Sequence, residues 1–428
     1  MGYPWWAVTL MVLGALALAG AFLTLFTSLG RRPPVLLATQ TPPVDSNEFL
    51  QSLAGTINSP LQKGGTVKLL NNGDEIFAAI LRAIAAARHS IHVSIYIWEP
   101  GAATQMVVDA LVERAREGVE VRVLLDALGG LRMPHEAIHR LKAAGARVER
   151  FRRARLGKLT RFYKRNHRRA IVVDGRIGFT GGAAIGDKWL GNAQDEKHWR
   201  DTMVQVTGCL AANLQSAFAV PWAFTTGELL VGEAYYPTHL PQDDSDIRSV
   251  SIVSAPSSEE HPLRILFLLS FMAARRTLYI QSSYFVPDEQ TRRVVAERAL
   301  AGVDVRVLVP DEHTDAQPIR LAGRSYYEEL LAAGVKIYEY QGTMMHAKHV
   351  VIDGKWSIVG SANMDIRSKE LNLENVLGIL DTDFAQTVER TFLEDAAKGI
   401  EFRLLEWRQR PLSERIKERF WVLFAEQF

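Results

Sequence analysis

The chain has 428 residues, a formal net charge of +2, 47% hydrophobic and 23% charged residues, the balance of a folded protein with real cores and not of a disordered or polytopic membrane chain. At roughly 150 residues per domain, that length allows about three units, or two domains with appendages. A single cysteine, Cys209, excludes an internal disulfide framework and any multi-thiolate zinc or iron–sulfur site.

Residues 2–30 contain no Asp, Glu, Lys, Arg or His, and an apolar run of that length crosses a hydrocarbon core of about 30 Å as a helix. We expect one transmembrane anchor over residues 4–29, with Tyr3, Trp5 and Trp6 at an interface. The alternative, a cleavable signal peptide, would lack its basic n-region and have a core longer than the usual ~7–15 residues. Arg31 and Arg32 follow the run and nothing basic precedes it, so the positive-inside bias places the rest of the chain on the cytoplasmic side. Residues 30–65 read as a stiff linker and lead-in, marked by Pro33-Pro34 and Pro42-Pro43 and by the short amphipathic segment around Phe49, Leu50 and Leu53.

An internal duplication follows. Glu113-Arg114-Ala115 and Gly118-Val119-Glu120-Val121-Arg122-Val123-Leu124 return as Glu297-Arg298-Ala299 and Gly302-Val303-Asp304-Val305-Arg306-Val307-Leu308. Ala143-Ala144-Gly145 returns as Ala332-Ala333-Gly334, and each copy opens on an apolar, β-branched run, Ile91-His92-Val93-Ser94-Ile95 and Leu278-Tyr279-Ile280. Each half reads strand, helix, Gly turn, strand, helix, Gly turn, strand, the pattern of α/β units around a buried sheet. The repeat is too long for a solenoid. We expect two homologous α/β domains, residues 66–225 and 250–408, joined by a Pro- and Asp-containing linker over 226–249 and followed by a C-terminal amphipathic helix over 409–428.

After the third shared element, the first copy carries His167-Arg168-Arg169, Asp174 and Thr180-Gly181-Gly182, and the second carries His346-Ala347-Lys348, Asp353 and Gly360-Ser361-Ala362-Asn363. The apolar residues before each Asp indicate a strand, and residues two apart on a strand share a face. His167 then sits beside Arg169, and His346 beside Lys348. If the halves pack about a pseudo-twofold axis, two imidazoles and two cations meet in one cleft. That set suits a phosphodiester: one His attacks phosphorus, the other protonates the leaving oxygen, and the cations hold the transition-state oxygens.

These paired motifs resemble the signature of the phospholipase D superfamily, His-x-Lys-x4-Asp followed by Gly-Gly/Ser-x-Asn. The resemblance covers the chain from about residue 46 onward. Within it, Tyr284-Phe285-Val286-Pro287-Asp288-Glu289, the Arg324-Ser325-Tyr326-Tyr327 run, Gly360 through Ser368 and Leu371-Asn372-Leu373-Glu374 look most like the bacterial cardiolipin synthases. The resemblance implies two phospholipase D-like sandwich domains at the bacterial inner membrane. The activity it implies is transfer of a phosphatidyl group to phosphatidylglycerol through a phosphohistidine, without metal or other cofactor. Under it, His167 is the nucleophile and His346 the general acid and base, while Asp201 and Glu374 orient the imidazoles. Arg169, Lys348 and Asn363 bind phosphate, and Asp174, Asp353 and Ser361 support the motifs.

The first copy departs from that signature at Arg169, where Lys is expected, and at Ala184, where Asn is expected. Arg keeps the charge but not the shape, and a missing donor at a transition state is worth about 2.7–4 kcal/mol. Two alternatives therefore stand beside the transferase: a phosphodiester hydrolase acting on lipid or nucleic acid, and a degenerate, non-catalytic lipid-binding protein. Residues 150–169 are densely basic with interleaved aromatics, which favours anionic phospholipid head groups such as phosphatidylglycerol and cardiolipin over nucleic acid as partner. The final helix, with Ile416, Phe420, Trp421, Leu423 and Phe424 as its apolar positions, either packs on the second domain or lies in the membrane interface. Oligomeric state is open. His135 and His139 stand at i, i+4 with no third ligand and read as a surface pair.

Overall fold

The computed structural model describes residues 4–28, 34–152, 164–238, 245–254 and 261–425. The duplicated sequence becomes two sheets built on one plan. The lead-in supplies β1 (Gln62–Lys63), and the first half supplies β2 (Val67–Asn71), β3 (Ser90–Ile95), β4 (Glu120–Asp126), β5 (Arg147–Phe151), β6 (Ala170–Val173), β7 (Ile177–Gly181) and β8 (Thr202–Thr207). These last seven lie in the order β2-β8-β7-β6-β3-β4-β5. The second half supplies β9 (Arg248–Ser254), β10 (Thr277–Ser282), β11 (Phe285–Val286), β12 (Asp304–Pro310), β13 (Lys336–Tyr340), β14 (Lys348–Ile352), β15 (Trp356–Gly360), β16 (Met364–Asp365), β17 (Glu374–Leu380) and β18 (Gly399–Phe402). Its main sheet runs β1-β9-β17-β15-β14-β10-β12-β13-β18, with β11 and β16 pairing separately.

In each sheet the three strands joined by helices are parallel and the motif strands antiparallel. Strand β3 is buried at every residue because helices cover both faces of a parallel segment. The four repeat glycines end helices in left-handed backbone, at φ 91° and 97° for Gly118 and Gly145 and φ 89° and 94° for Gly302 and Gly334. A Cβ is strained there, which is why both copies keep glycine.

The halves share one interior. Leu69, Val172, Val204 and Leu214 pack in one apolar cluster with Leu308, Val351, Leu377 and Phe392, and residues 40–428 form a single unit. The lead-in belongs to the second half: β1 pairs with β9, and Phe49, on the helix Asn47–Thr56, meets Trp356 edge-on at 5.5 Å. Residues 1–39 form a separate unit containing the uncharged 24-residue helix Trp5–Ser28. That length spans about 36 Å. Side chains are described only to residue 16 of it; among the described residues, no helix is long and apolar enough to cross a membrane. The anchor expected over 4–29 falls partly outside them, as do 239–244 of the expected linker and 153–163 of the basic stretch.

Candidate active site

Both histidines sit just before their motif strands, where extended backbone has left one sheet and borrows partners from the other half. The His167 amide donates to the Leu373 carbonyl at 3.0 Å, and the Leu373 amide donates to Arg165 at 2.8 Å. Symmetrically, the His346 amide donates to Arg200 at 2.7 Å and the Arg200 amide to Met344 at 2.9 Å. These two bridges bring Glu374 and Asp201 to the opposite half's imidazole. His167 Nδ1 lies 2.9 Å from Glu374 Oε1, and His346 Nδ1 lies 2.8 Å from Asp201 Oδ2. A carboxylate on Nδ1 fixes the tautomer that leaves Nε2 with its lone pair.

Each carboxylate is itself held, by different means. Ser361 Oγ donates to Glu374 Oε2, while Trp189 Nε1 donates to Asp201 Oδ2 at 2.9 Å. Gly182 stands where the second half has Ser361, and a Cβ there would lie 2.1 Å from Asp201 Oδ1. The first half therefore cannot use the serine device, and the indole replaces it. Asn375 ties the motifs together, accepting from the Arg169 amide at 3.1 Å and donating to the Arg169 carbonyl at 2.8 Å. Arg200 crosses the halves in a buried ion pair with Asp395 at 2.8 Å. Neither Ser283, Trp189, Asn375 nor Arg200 stands out in sequence; only their places in the sheets reveal them.

The two cations are buried on equivalent carbonyls. Lys348 Nζ donates to its own motif's His346 carbonyl and Arg169 Nη1 to the His167 carbonyl, each at 2.7 Å. Lys348 also meets Ser283 Oγ at 2.7 Å, and Ser283 donates to Asn363 Oδ1 at 2.7 Å. In the first half the strand register puts Tyr96 at the Ser283 position, with its ring 5.1 Å from His167, and the buried Ala184 takes the Asn363 position. Arg169 Nε and Nη2 are buried without a hydrogen-bond partner among the described residues. Such donors are costly unless an anion satisfies them.

Burial sets the electrostatics. It lowers His167 to about 4, with the Arg169 charge adding to the effect and Glu374 opposing it. His346 falls well below its ordinary value through burial and the neighbouring Lys348 and Arg169 charges. Burial brings Lys348 down to about 7 and raises Asp201 to about 6. Glu374 stays below the usual carboxylate range because His167, Ser361 and Arg169 outweigh its burial. Burial and the neighbouring cations thus favour the neutral form of both imidazoles.

Asp174 and Asp353 lie away from the histidines, at the far ends of β6 and β14. Asp174 accepts from the amides of Arg88, His89 and Ser90, and Asp353 from those of Arg275, Arg276 and Thr277. Each staples the entrance of the neighbouring strand in its sheet, β3 for Asp174 and β10 for Asp353. Among the described residues, no group of three or more His, Cys, Asp or Glu is placed to hold a metal ion.

Two His-x-cation motifs facing each other across a duplicated α/β core, each imidazole backed by the other half's carboxylate, define a phospholipase D-type centre for phosphodiesters. The family described as "Cardiolipin synthase, PLD-like domain" matches residues 80–211 and 268–396, and the chain belongs to it. It is 36% identical to the cardiolipin synthase of Geobacillus thermodenitrificans, over 84% of this chain and 72% of that one. It is 33% identical to cardiolipin synthase 1 of Bacillus cereus, over 92% and 79%. The fold is also that of Haemophilus influenzae phosphatidylserine synthase, with a TM-score of 0.67 at 17% identity, covering 88% of this chain and 99% of that one.

Proposed function

We propose that the protein is a membrane-anchored phosphatidyltransferase that makes cardiolipin from phosphatidylglycerol through a phosphohistidine on His167. The observation that carries this is the crosswise pairing of His167 with Glu374 and His346 with Asp201 over two buried cations. A hydroxyl acceptor needs a base on one side of phosphorus and a nucleophile on the other, and the site supplies both.

His167 Nε2 attacks phosphorus while the bond to the head-group oxygen breaks; His346 Nε2 gives that oxygen its proton, and glycerol leaves. The acceptor's hydroxyl then returns a proton to His346, its oxygen attacks phosphorus, and the bond to His167 breaks, yielding cardiolipin. Arg169, Lys348 and Asn363 hold the non-bridging oxygens. His346 must enter this cycle protonated although its burial and the Lys348 and Arg169 charges disfavour that. The phosphodiester anion supplies the missing negative charge, so substrate binding itself raises His346. Arg169's unpartnered N–H groups suit the same anion, which speaks for a working first motif against a degenerate one.

The uncharged helix Trp5–Ser28 followed by Arg31 and Arg32 supports a single-pass anchor in the bacterial inner membrane with the catalytic part cytoplasmic. Protease added to right-side-out spheroplasts should then leave residues 40–428 intact. For the chemistry, detergent-solubilised protein with phosphatidylglycerol and no added metal should give cardiolipin and glycerol, both lost in His167→Ala. Phosphatidic acid alone would replace this reading with a hydrolase.

A further inference from the structure

The C-terminal helix Leu412–Val422 is turned outward in an unusual way. Its buried residue is an acid: Glu418, 2% exposed, lies 3.2 Å from Arg324 and 2.7 Å from Arg410. On the same side Trp421, Val422 and Ala425 pack on Ala322 and Val286. The opposite face is apolar and open, with Leu412 at 68%, Ile416 at 60%, Phe420 at 52% and Leu423 at 68% exposure. At about 100° per residue these four fall in one stripe, with the exposed Arg419 on one flank and Lys417 on the other.

We infer that this stripe is a membrane-docking face that lies in the surface of an anionic bilayer. Large apolar side chains flanked on both sides by cations match an interface whose acyl region is oily and whose head groups are negative. A protein partner would have to match both features; an anionic lipid surface does so by its nature. The position gives docking a purpose. The helix beneath, Gln317–Arg324, also borders a small cavity with Ser283, Tyr284 and Phe285, and Ser283 contacts Lys348. One helix therefore separates the lipid surface from the second-half wall of the active site. The docking face goes beyond the proposed reaction and does not require it.

Hydrogen exchange of the full-length protein in nanodiscs tests this without turnover, comparing discs of phosphatidylserine and phosphatidylcholine with discs of phosphatidylcholine alone. Amides of 412–425 should exchange at least about fivefold more slowly in the anionic discs. Ile416→Glu and Phe420→Glu should remove that protection with an unchanged melting temperature. Equal exchange in both discs, or protection surviving both substitutions, would overturn the inference. So would protection that appears in detergent as protein concentration rises, which would assign the face to a second copy of the chain. Cardiolipin assays on detergent-dispersed phosphatidylglycerol read the reaction separately, so either reading can fail alone.

Discussion

The two halves solve the same problem with different parts, and the difference shows which features the chemistry fixes. Both keep a histidine, a carboxylate on its Nδ1 from the other half, and a buried cation anchored on the histidine's own carbonyl. They differ in everything around these. Lys348, Ser283 and Asn363 form a polar chain in the second half; in the first, Arg169 stands with Tyr96 and Ala184. Ser361 holds Glu374, whereas Trp189 holds Asp201. Imidazole, carboxylate and charge are common; the donors that position them are exchangeable.

The strongest test of this asymmetry concerns the histidines. His346→Ala should slow turnover by ~10²–10⁴, since both half-reactions pass a proton through it, and in wild-type protein quenched during reaction with labelled phosphatidylglycerol, peptide mapping should find the phosphatidyl adduct on His167. An adduct mapped to His346 in wild-type protein would reverse the roles of the halves. Next come the phosphate donors: Asn363→Ala should lower kcat by ~10²–10³, while Ala184→Asn should change it little because Tyr96 and Arg169 already fill that side. A large gain from Ala184→Asn would show the first half to be impaired instead of rebuilt.

The carboxylate supports come third. Ser361→Ala and Trp189→Phe should each reduce kcat about tenfold with KM unchanged, since each removes one hydrogen bond to a buried carboxylate. Unequal losses would rank the two imidazoles by their demand for orientation. The last prediction concerns stability, away from the chemistry. Burial lowers His92 and His167 in the first half to about 4 and His349 in the second to about 3, with His346 also depressed. The unfolded chain protonates these groups below about 6.5 and the fold resists, so stability falls as pH drops from 6.5 toward 4, by at most about 1.4 kcal/mol per unit per group. Asp201 and Asp365, raised to about 6 by burial, oppose this below that pH. The four imidazoles outnumber the two carboxylates, so urea midpoints should still fall steadily from pH 6.5 toward 4. His349→Leu should cost less at neutral pH than His92→Leu, because His92 bonds Gln215 at 2.9 Å and neither nitrogen of His349 has a partner.

Much of the fold is legible in the sequence because the duplicated segments are local: Gly118 and Gly302 end helices, and the valine-rich runs after them can only be buried strands. The site is legible as two copies of a motif. Its wiring is not, because Glu374 lies 207 residues from His167 and nothing in either segment names its partner. Trp189 gives no signal either, since its role appears only once Gly182 is seen against Asp201. Residues 30–65 read in sequence only as a linker and lead-in, whereas β1 within them pairs with β9 of the second half, a register set by edge hydrogen bonds and not by composition. In the last helix the apolar positions are visible in sequence, but not that they divide around a buried Glu418, with Trp421 packed inward and Ile416, Phe420 and Leu423 left outside.

The crossed carboxylates also bear on inheritance. A site assembled from two identical chains would suffer every substitution twice, once in each copy, so a change near one imidazole would be forced on the other as well. With both copies on one chain, Ala184 alters one side and Asn363 remains on the other. Covalent linkage thereby lets the two sides of the site differ, while Glu374 and Asp201, each bonded to the opposite half's imidazole, leave neither half complete alone.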